Sequence, residues 1–246
     1  MSKELVVYMA THDKRCSHTA DYDYIVPIQV GKALNEMKIE DVSDNTGDNI
    51  SLKNKTYCEL TALYWMWKND KSKYIGLYHY RRMLDIKKRD ILNRLDSDYI
   101  ILPKKRKFKM SVKDQYIREH SLKDWNVLID ILKEYYPEYY ESSKIIFNNN
   151  ELYRFNMFIM KKDLFDDYCE WLFPLLLRVE GNIKNTEKDN YQIRYIGFMA
   201  ERLFTLYVLH NKFNIFETDV LFMNKKIKNE CLKNIINNLF FRLRNR

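Results

Sequence analysis

The run from Asp44 to Arg82 constrains this chain more than any other. It opens on a polar turn, Asp44-Asn45-Thr46-Gly47-Asp48-Asn49-Ile50-Ser51, and continues through the aromatic segment Tyr57-Cys58-Glu59-Leu60-Thr61-Ala62-Leu63-Tyr64-Trp65-Met66-Trp67. It closes on Tyr74-Ile75-Gly76-Leu77-Tyr78-His79-Tyr80-Arg81-Arg82. Leu60, Leu63, Tyr64 and Trp67 recur at helical spacing. Thr56, with Glu59 three residues on, fits a capping box that would start this helix. Tyr74 to Leu77 then reads as a buried strand that stops abruptly at polar and cationic side chains. Reactive groups of α/β proteins stand at the carboxyl ends of strands. A guanidinium grips phosphate with forked hydrogen bonds, so a His and two Arg at this point suit an anionic ligand.

The rest of the chain repeats the alternation. Leu5 to Ala10 predicts a buried first strand, with Thr11-His12-Asp13-Lys14 at its carboxyl end. Ile25 to Gly31 is a second short strand or an extended loop. Asp90 to Leu95 is a short helix, and Tyr99 to Leu102 a strand stopped by Pro103. A basic loop, Lys104-Lys105-Arg106-Lys107, follows. Ser121 to Asp124 is a second capping-box pattern. Its helix turns Leu122, Trp125, Leu128, Ile129 and Leu132 inward and ends before Pro137. Tyr153 to Met160 reads as a strand, and Asp163 to Phe173 as a helix interrupted or kinked at Pro174. Tyr191 to His210 is a long helix, and Phe213 to Phe216 a last strand. This order predicts one α/β domain over 1–220, with a mainly parallel central sheet flanked by helices.

Composition narrows the classes. The apolar share of 46% supports a packed core, and 5 Gly with 4 Pro is too few for a turn-rich β-sandwich. Lys and Arg outnumber Asp and Glu by 42 to 34, which fits a nucleotide diphosphate, an anionic lipid surface or nucleic acid. The basic residues are spread along the chain and no nucleic-acid motif is present, so nucleic acid is not the expected partner. Cys16, Cys58, Cys169 and Cys231 are far apart, as in a reduced cytoplasmic protein. The N-terminus reads as a strand rather than a signal peptide, and no window is long enough to span a membrane. Residues 221–246 read as a basic amphipathic helix. It either lies on the inner face of the cell membrane or packs on the domain with its lysines solvated.

Several of these blocks, taken in order, resemble a bacterial family found in capsule, exopolysaccharide and O-antigen gene clusters. That family was long catalogued as a domain of unknown function and is now treated as glycosyltransferases. The matching blocks are Ala10-Thr11-His12, Thr46 to Ser51, Tyr57 to Tyr64, Tyr74 to Arg82, Asn156-Met157-Phe158-Ile159-Met160, and Gly197 to Leu203. The resemblance implies a GT-A-like nucleotide-sugar fold. It also implies transfer of a sugar, galactose in pyranose or furanose form, from a UDP-sugar to a growing surface glycan or lipid-linked oligosaccharide; the alternative is a non-catalytic nucleotide-sugar-binding or scaffold protein of glycan assembly.

Many GT-A enzymes end a central strand in two Asp that hold a divalent cation on the donor diphosphate. This chain has His79-Tyr80-Arg81-Arg82 there, so His79, Arg81 or Arg82 is expected to neutralise the diphosphate, with no cofactor and no protein metal ligand expected and dependence on a divalent metal left open. Being adjacent, Arg81 and Arg82 cannot both face one side of a strand. Thr11, His12, Gln29 and Gly31 are the candidates for the nucleotide, and Asp48 and Asn49 for the sugar. A carboxylate must serve as base for the acceptor hydroxyl. Glu201 and Asp85 are the two candidates, with a salt bridge to a neighbouring Arg as the other reading of Glu201. Glu59 reads most simply as a helix cap.

Overall fold

The computed structural model of the chain describes residues 4–12, 22–183 and 188–222. A nine-stranded sheet forms its centre. In chain order the strands are β1 (Leu5–Thr11), β2 (Ile25–Gln29), β3 (Val42–Ser43), β4 (Tyr74–His79), β5 (Arg82–Leu84), β6 (Tyr99–Pro103), β9 (Phe158–Lys161), β10 (Asn214–Thr218) and β11 (Val220–Phe222). β7 (Arg106–Lys107) and β8 (Glu151–Leu152) pair separately. The main order is β10-β6-β9-β4-β1-β2-β3, and β5 and β11 form a small ribbon off the end of β4. β3, β2, β1 and β4 run parallel, as do β6 and β10, and β9 runs antiparallel between the two groups. β4 and β6 are both antiparallel to β9, so they share one sense. Six carboxyl ends therefore open on one edge of the sheet.

The helices are α1 (Asn54–Tyr57), α2 (Leu60–Asn69), α3 (Lys88–Asp96), α4 (Val112–Glu119), α5 (Leu122–Tyr135), α6 (Pro137–Ile146), α7 (Lys162–Asn182) and α8 (Tyr195–His210). The sheet is buried on both faces, and side-chain alternation divides the core. Val6, Tyr8, Ala10, Ile75 and Leu77 join the large core under α2 and α5 to α8. Leu5, Val7, Met9, Tyr74 and Tyr78 face a smaller core with Ile91 and Leu95 of α3. Gly76 lets β9 lie close, because a Cβ there would stand 2.7 Å from the Phe158 carbonyl oxygen.

The predicted elements recur with instructive differences. Ser121 caps α5 as expected, accepting from Asp124 N–H at 3.3 Å. Leu122, expected to face inward, is exposed, because the buried face of the first turn is carried by Asp124 and Trp125. Pro137 does not only end α5; it also begins α6, where its missing N–H costs nothing. α7 runs unbroken through Pro174, since Phe173, Leu175 and Leu176 are all held in the core. The 191–210 helix is a 3₁₀ turn (Gln192–Arg194) leading into α8.

Two differences matter for the site. The strand expected over 153–160 begins only at Phe158, because Phe155 (φ 77) and Asn156 (φ 50) both take left-handed backbone and leave the ladder. The capping box of Thr56 and Glu59 does not form. Thr56 lies inside α1, and Cys58 (φ 53, ψ −129) breaks the chain between α1 and α2. Glu59 precedes α2 without capping it, and its carboxylate turns toward the sheet edge.

Candidate active site

β4 and β5 are joined by a two-residue turn, Tyr80-Arg81, that makes His79 and Arg82 direct cross-strand partners. Cross-strand partners put their side chains on the same face. Arg81, at the tip, is exposed and lies over the Tyr80 ring at 4.6 Å. Arg82 is half-buried, 4.2 Å over the Phe155 ring and 5.8 Å over Phe222. The two arginines thus diverge as their adjacency requires, and Arg82 is the one aimed inward.

The left-handed bend at Phe155-Asn156 is the other half of the site. His79 donates from Nε2 to the Phe155 carbonyl at 2.6 Å, which fixes the proton on that nitrogen. Asn156, fully buried, donates from Nδ2 to Glu59 Oε1 at 2.7 Å. The same oxygen lies 3.8 Å from His79 Nε2. From below, Glu201 Oε1 accepts the Phe155 N–H at 2.7 Å, and Glu201 Oε2 meets Arg202 at 3.3 Å. Arg202 is buried and also donates to the Phe198 carbonyl and to Gln115. Two carboxylates therefore pin the bend, one on each side.

Around these carboxylates stand more cations than they neutralise. Burial works against the charge of Arg82, and Arg81 adds repulsion, opposed by Tyr80, Glu201 and Glu59. Arg154 is similar: burial first, then Arg106, Arg82 and Arg202 work against its charge, and Glu201 supports it. Arg82 Nε is buried with no partner, as are Arg202 Nε and Asn156 Oδ1. Buried polar atoms are normally paired. An anion arriving among these guanidiniums would supply the missing acceptor and offset their mutual repulsion.

The other predicted residues fall in three places. Thr11 ends β1 at this edge, and the His12 ring meets Tyr80 edge-on at 4.7 Å, beside the β4 turn. Gln29 and Gly31 serve their own loop instead. Gln29 donates to the Met37 carbonyl and accepts the Ile39 N–H, while Gly31 (φ 65) turns the chain where a Cβ would strike Asn54 at 2.6 Å. Asp48 accepts from Tyr64 OH at 3.2 Å, and Asn49 bonds the Gly47 carbonyl and the Ser51 N–H, so both close a surface turn. Asp85 lines two clefts, one of 620 Å³ between α3 and the edge strand β10, and one of 330 Å³ beside Tyr22 and Tyr24. Neither cleft is lined by His79, Arg82, Glu59 or Glu201.

Sequence reasoning did not identify Glu59, Arg154, Arg106 or Asn156 as site residues. Only Asn156 carried a local hint, since Asn tolerates left-handed backbone better than other side chains. The end of β4 itself offers an imidazole already bonded to a carbonyl and two guanidiniums. Among the described residues, no group of three His, Cys, Asp or Glu is placed to hold a metal ion. No described helix is long and apolar enough to cross a membrane. The basic run Lys225–Arg246 lies outside the described residues.

The model of a family described as a domain of unknown function, DUF4422, matches residues 6–212. The apo structure of WbbM, a bifunctional glycosyltransferase, is similar over 89% of this chain, with a TM-score of 0.82 and 32% identity. The match spans 45% of that protein's length. A search of curated proteins gives no match.

Proposed function

Because the chain belongs to the DUF4422 family and shares its α/β fold with part of a bifunctional glycosyltransferase, we propose that it is itself a glycosyltransferase. It takes a sugar from a uridine diphosphate-linked donor, galactose in pyranose or furanose form, and adds it to a growing surface glycan or lipid-linked oligosaccharide. The observation that carries this reading is the half-buried Arg82, its Nε unpartnered, backed by Arg154 at the carboxyl edge of a parallel sheet.

In this reading the nucleotide lies over the end of β1 at Thr11 and His12, and its diphosphate crosses to Arg82. As the bond between sugar and diphosphate lengthens, negative charge grows on the phosphate oxygens. Guanidiniums already in place stabilise that charge without reorganising. His79, tied to Phe155, holds the bend rather than the ligand.

A melting-temperature screen against UDP, UDP-galactose, UDP-galactofuranose, UDP-glucose and ADP-glucose tests the reading, with and without EDTA. A ligand at a hundred times its Kd adds about 2.7 kcal/mol to native stability. Uridine diphosphate sugars should raise the melting temperature, and transfer should persist in EDTA. No shift with any nucleotide sugar would remove the transferase reading. Turnover lost in EDTA and restored by Mn²⁺ would remove only the role given to guanidinium.

A further inference from the structure

α8 is buried along almost its whole length, and the exceptions toward its start form a line. Arg194, just ahead of it, is exposed, and Phe198 and Glu201 are half-buried, while Tyr195, Ile196, Gly197, Met199, Ala200, Arg202 and Leu203 are buried. Positions 194, 198 and 201 share one helical face. The helix therefore shows a single strip to open space, and the strip ends at the candidate site, where Glu201 holds the Phe155 N–H.

The outer end of the strip is aromatic. Phe198 stacks on His120 with centroids 4.1 Å apart, and His120 stacks in turn on Tyr191 at 5.7 Å. Tyr191 is 50% exposed. Arg194 connects this platform to the interior. Its guanidinium lies 5.4 Å over the Phe198 ring, and its Nε donates to Cys58 Sγ at 3.2 Å, next in the chain to Glu59. Arg194 interacts electrostatically with both Glu59 and Tyr191. Tyr191, Arg194, Cys58 and Glu59 thus form one continuous wall, running from an exposed ring to a carboxylate only 11% exposed.

The two carboxylates on the wall differ in what they can still do. Glu201 has one oxygen on the Phe155 N–H and the other on Arg202. Glu59 accepts from Asn156 on Oε1, and His79 Nε2 lies 3.8 Å from that same oxygen. These contacts leave Oε2 to a ligand.

We propose that this wall is the acceptor subsite, and that Glu59 is the base that activates the acceptor. The proposal rests on the transferase reading. The acceptor is a neutral sugar. Its C–H face rests on the open side of Tyr191, a hydroxyl accepts from Arg194, and the reacting hydroxyl reaches Glu59 Oε2. The oxygen of that acceptor hydroxyl forms the new bond to the anomeric carbon of the donor. The bond from the anomeric carbon to the phosphate oxygen breaks, its electron pair leaves on UDP, and the hydroxyl proton ends on Glu59. Glu201 is a positioning residue that holds the bend and Arg202.

The test uses the full chain with UDP-galactose or UDP-galactofuranose, whichever it turns over, and two acceptors, water and octyl β-galactoside. Glu59→Gln keeps an oxygen for Asn156, so the fold should hold, and its melting temperature and UDP affinity should match the wild type. Its kcat should fall on the order of 10²-fold to 10⁴-fold with both acceptors. Tyr191→Ala should raise the KM for octyl β-galactoside about fivefold to tenfold, well beyond any change in the donor KM. Tyr191→Phe should restore that KM. Glu59→Gln turning over within about threefold of wild type with either acceptor would overturn the base. An unchanged glycoside KM in Tyr191→Ala, or wild-type hydrolysis with no transfer to the glycoside, would overturn the platform. A wild-type chain that binds no nucleotide sugar fails earlier, at the transferase reading itself.

Discussion

The loop after β2 and the turn after β4 leave the same edge of the sheet with only β1 between them, and they treat their polar groups in opposite ways. After β2, Asp44 is fully buried and accepts from the N–H groups of Gly31 (2.7 Å) and Lys32 (3.1 Å) and from Ser51 Oγ (2.5 Å). Ser51 Oγ accepts in turn from the Ala33 N–H at 3.0 Å, and Gln29 fastens residues 37 and 39. Each side chain named there is spent on its own loop. Around the β4 turn, Arg82 Nε, Arg202 Nε and Asn156 Oδ1 are buried without partners, and the cations repel one another. A closed network builds structure, whereas unpartnered guanidinium donors are arranged for an acceptor that arrives.

Breaking the closed network should give the largest stability effect. Asp44→Ala removes one acceptor and orphans three donors at once. Each orphaned buried donor costs about 1–3 kcal/mol, so a loss of about 4 kcal/mol or more is expected in urea denaturation. A loss below about 1 kcal/mol would mean that water replaces the carboxylate, and that the loop is less closed than its bonds imply.

The open network should respond the other way. Arg82→Ala removes a guanidinium whose Nε has no partner and which meets repulsion from its neighbours. Stability should change by less than about 1 kcal/mol, while the rate of sugar transfer falls on the order of 10²-fold or more. Arg82→Lys should not restore it, because an ammonium cannot reproduce the forked geometry over Phe155. An Arg82→Ala variant that unfolds easily but transfers sugar normally would reverse the assignment of the two regions.

The same contrast explains what could be read from the sequence. β1, β4, α2 and the alternation that orders them follow from periodicity, because side chains buried on a face must recur at the period of that face. The end of β4 could be singled out as a candidate because two arginines directly after a buried strand stand at the sheet edge. Which polar loop residues serve a ligand was not legible. Gln29, Asp48 and Asn49 resemble site residues in type, yet Gln29 and Asn49 bond backbone groups two to ten residues away in their own loops, and Asp48 accepts from the Tyr64 hydroxyl of α2. Glu59 failed in the opposite direction. Thr56 and Glu59 match a capping box, but the left-handed Cys58 ends α1 after Tyr57 and turns the carboxylate inward. A left-handed Cys, like a left-handed Phe155, leaves no mark in the residue pattern, because the surrounding packing imposes it.

Cys58 sits where the two regions meet, and its thiol reports on Glu59. Burial raises its pKa to about 11; Glu59 and Glu201 push it the same way, while Arg194 pulls it down through its hydrogen bond and its charge. Only the thiolate is alkylated. At pH 8 Cys58 should therefore react slowly with iodoacetamide, and its rate should climb about tenfold per pH unit toward pH 11. Site-resolved mass spectrometry separates it from the other cysteines. Glu59→Gln removes a negative charge that disfavours the thiolate, so Cys58 should react faster at fixed pH. Arg194→Ala removes the group that favours the thiolate, so it should react more slowly. These opposite signs need no substrate and no knowledge of the donor. If both substitutions shift the rate in the same direction, Cys58 is responding to loosened packing rather than to charge, and the wall from Tyr191 to Glu59 is not continuous.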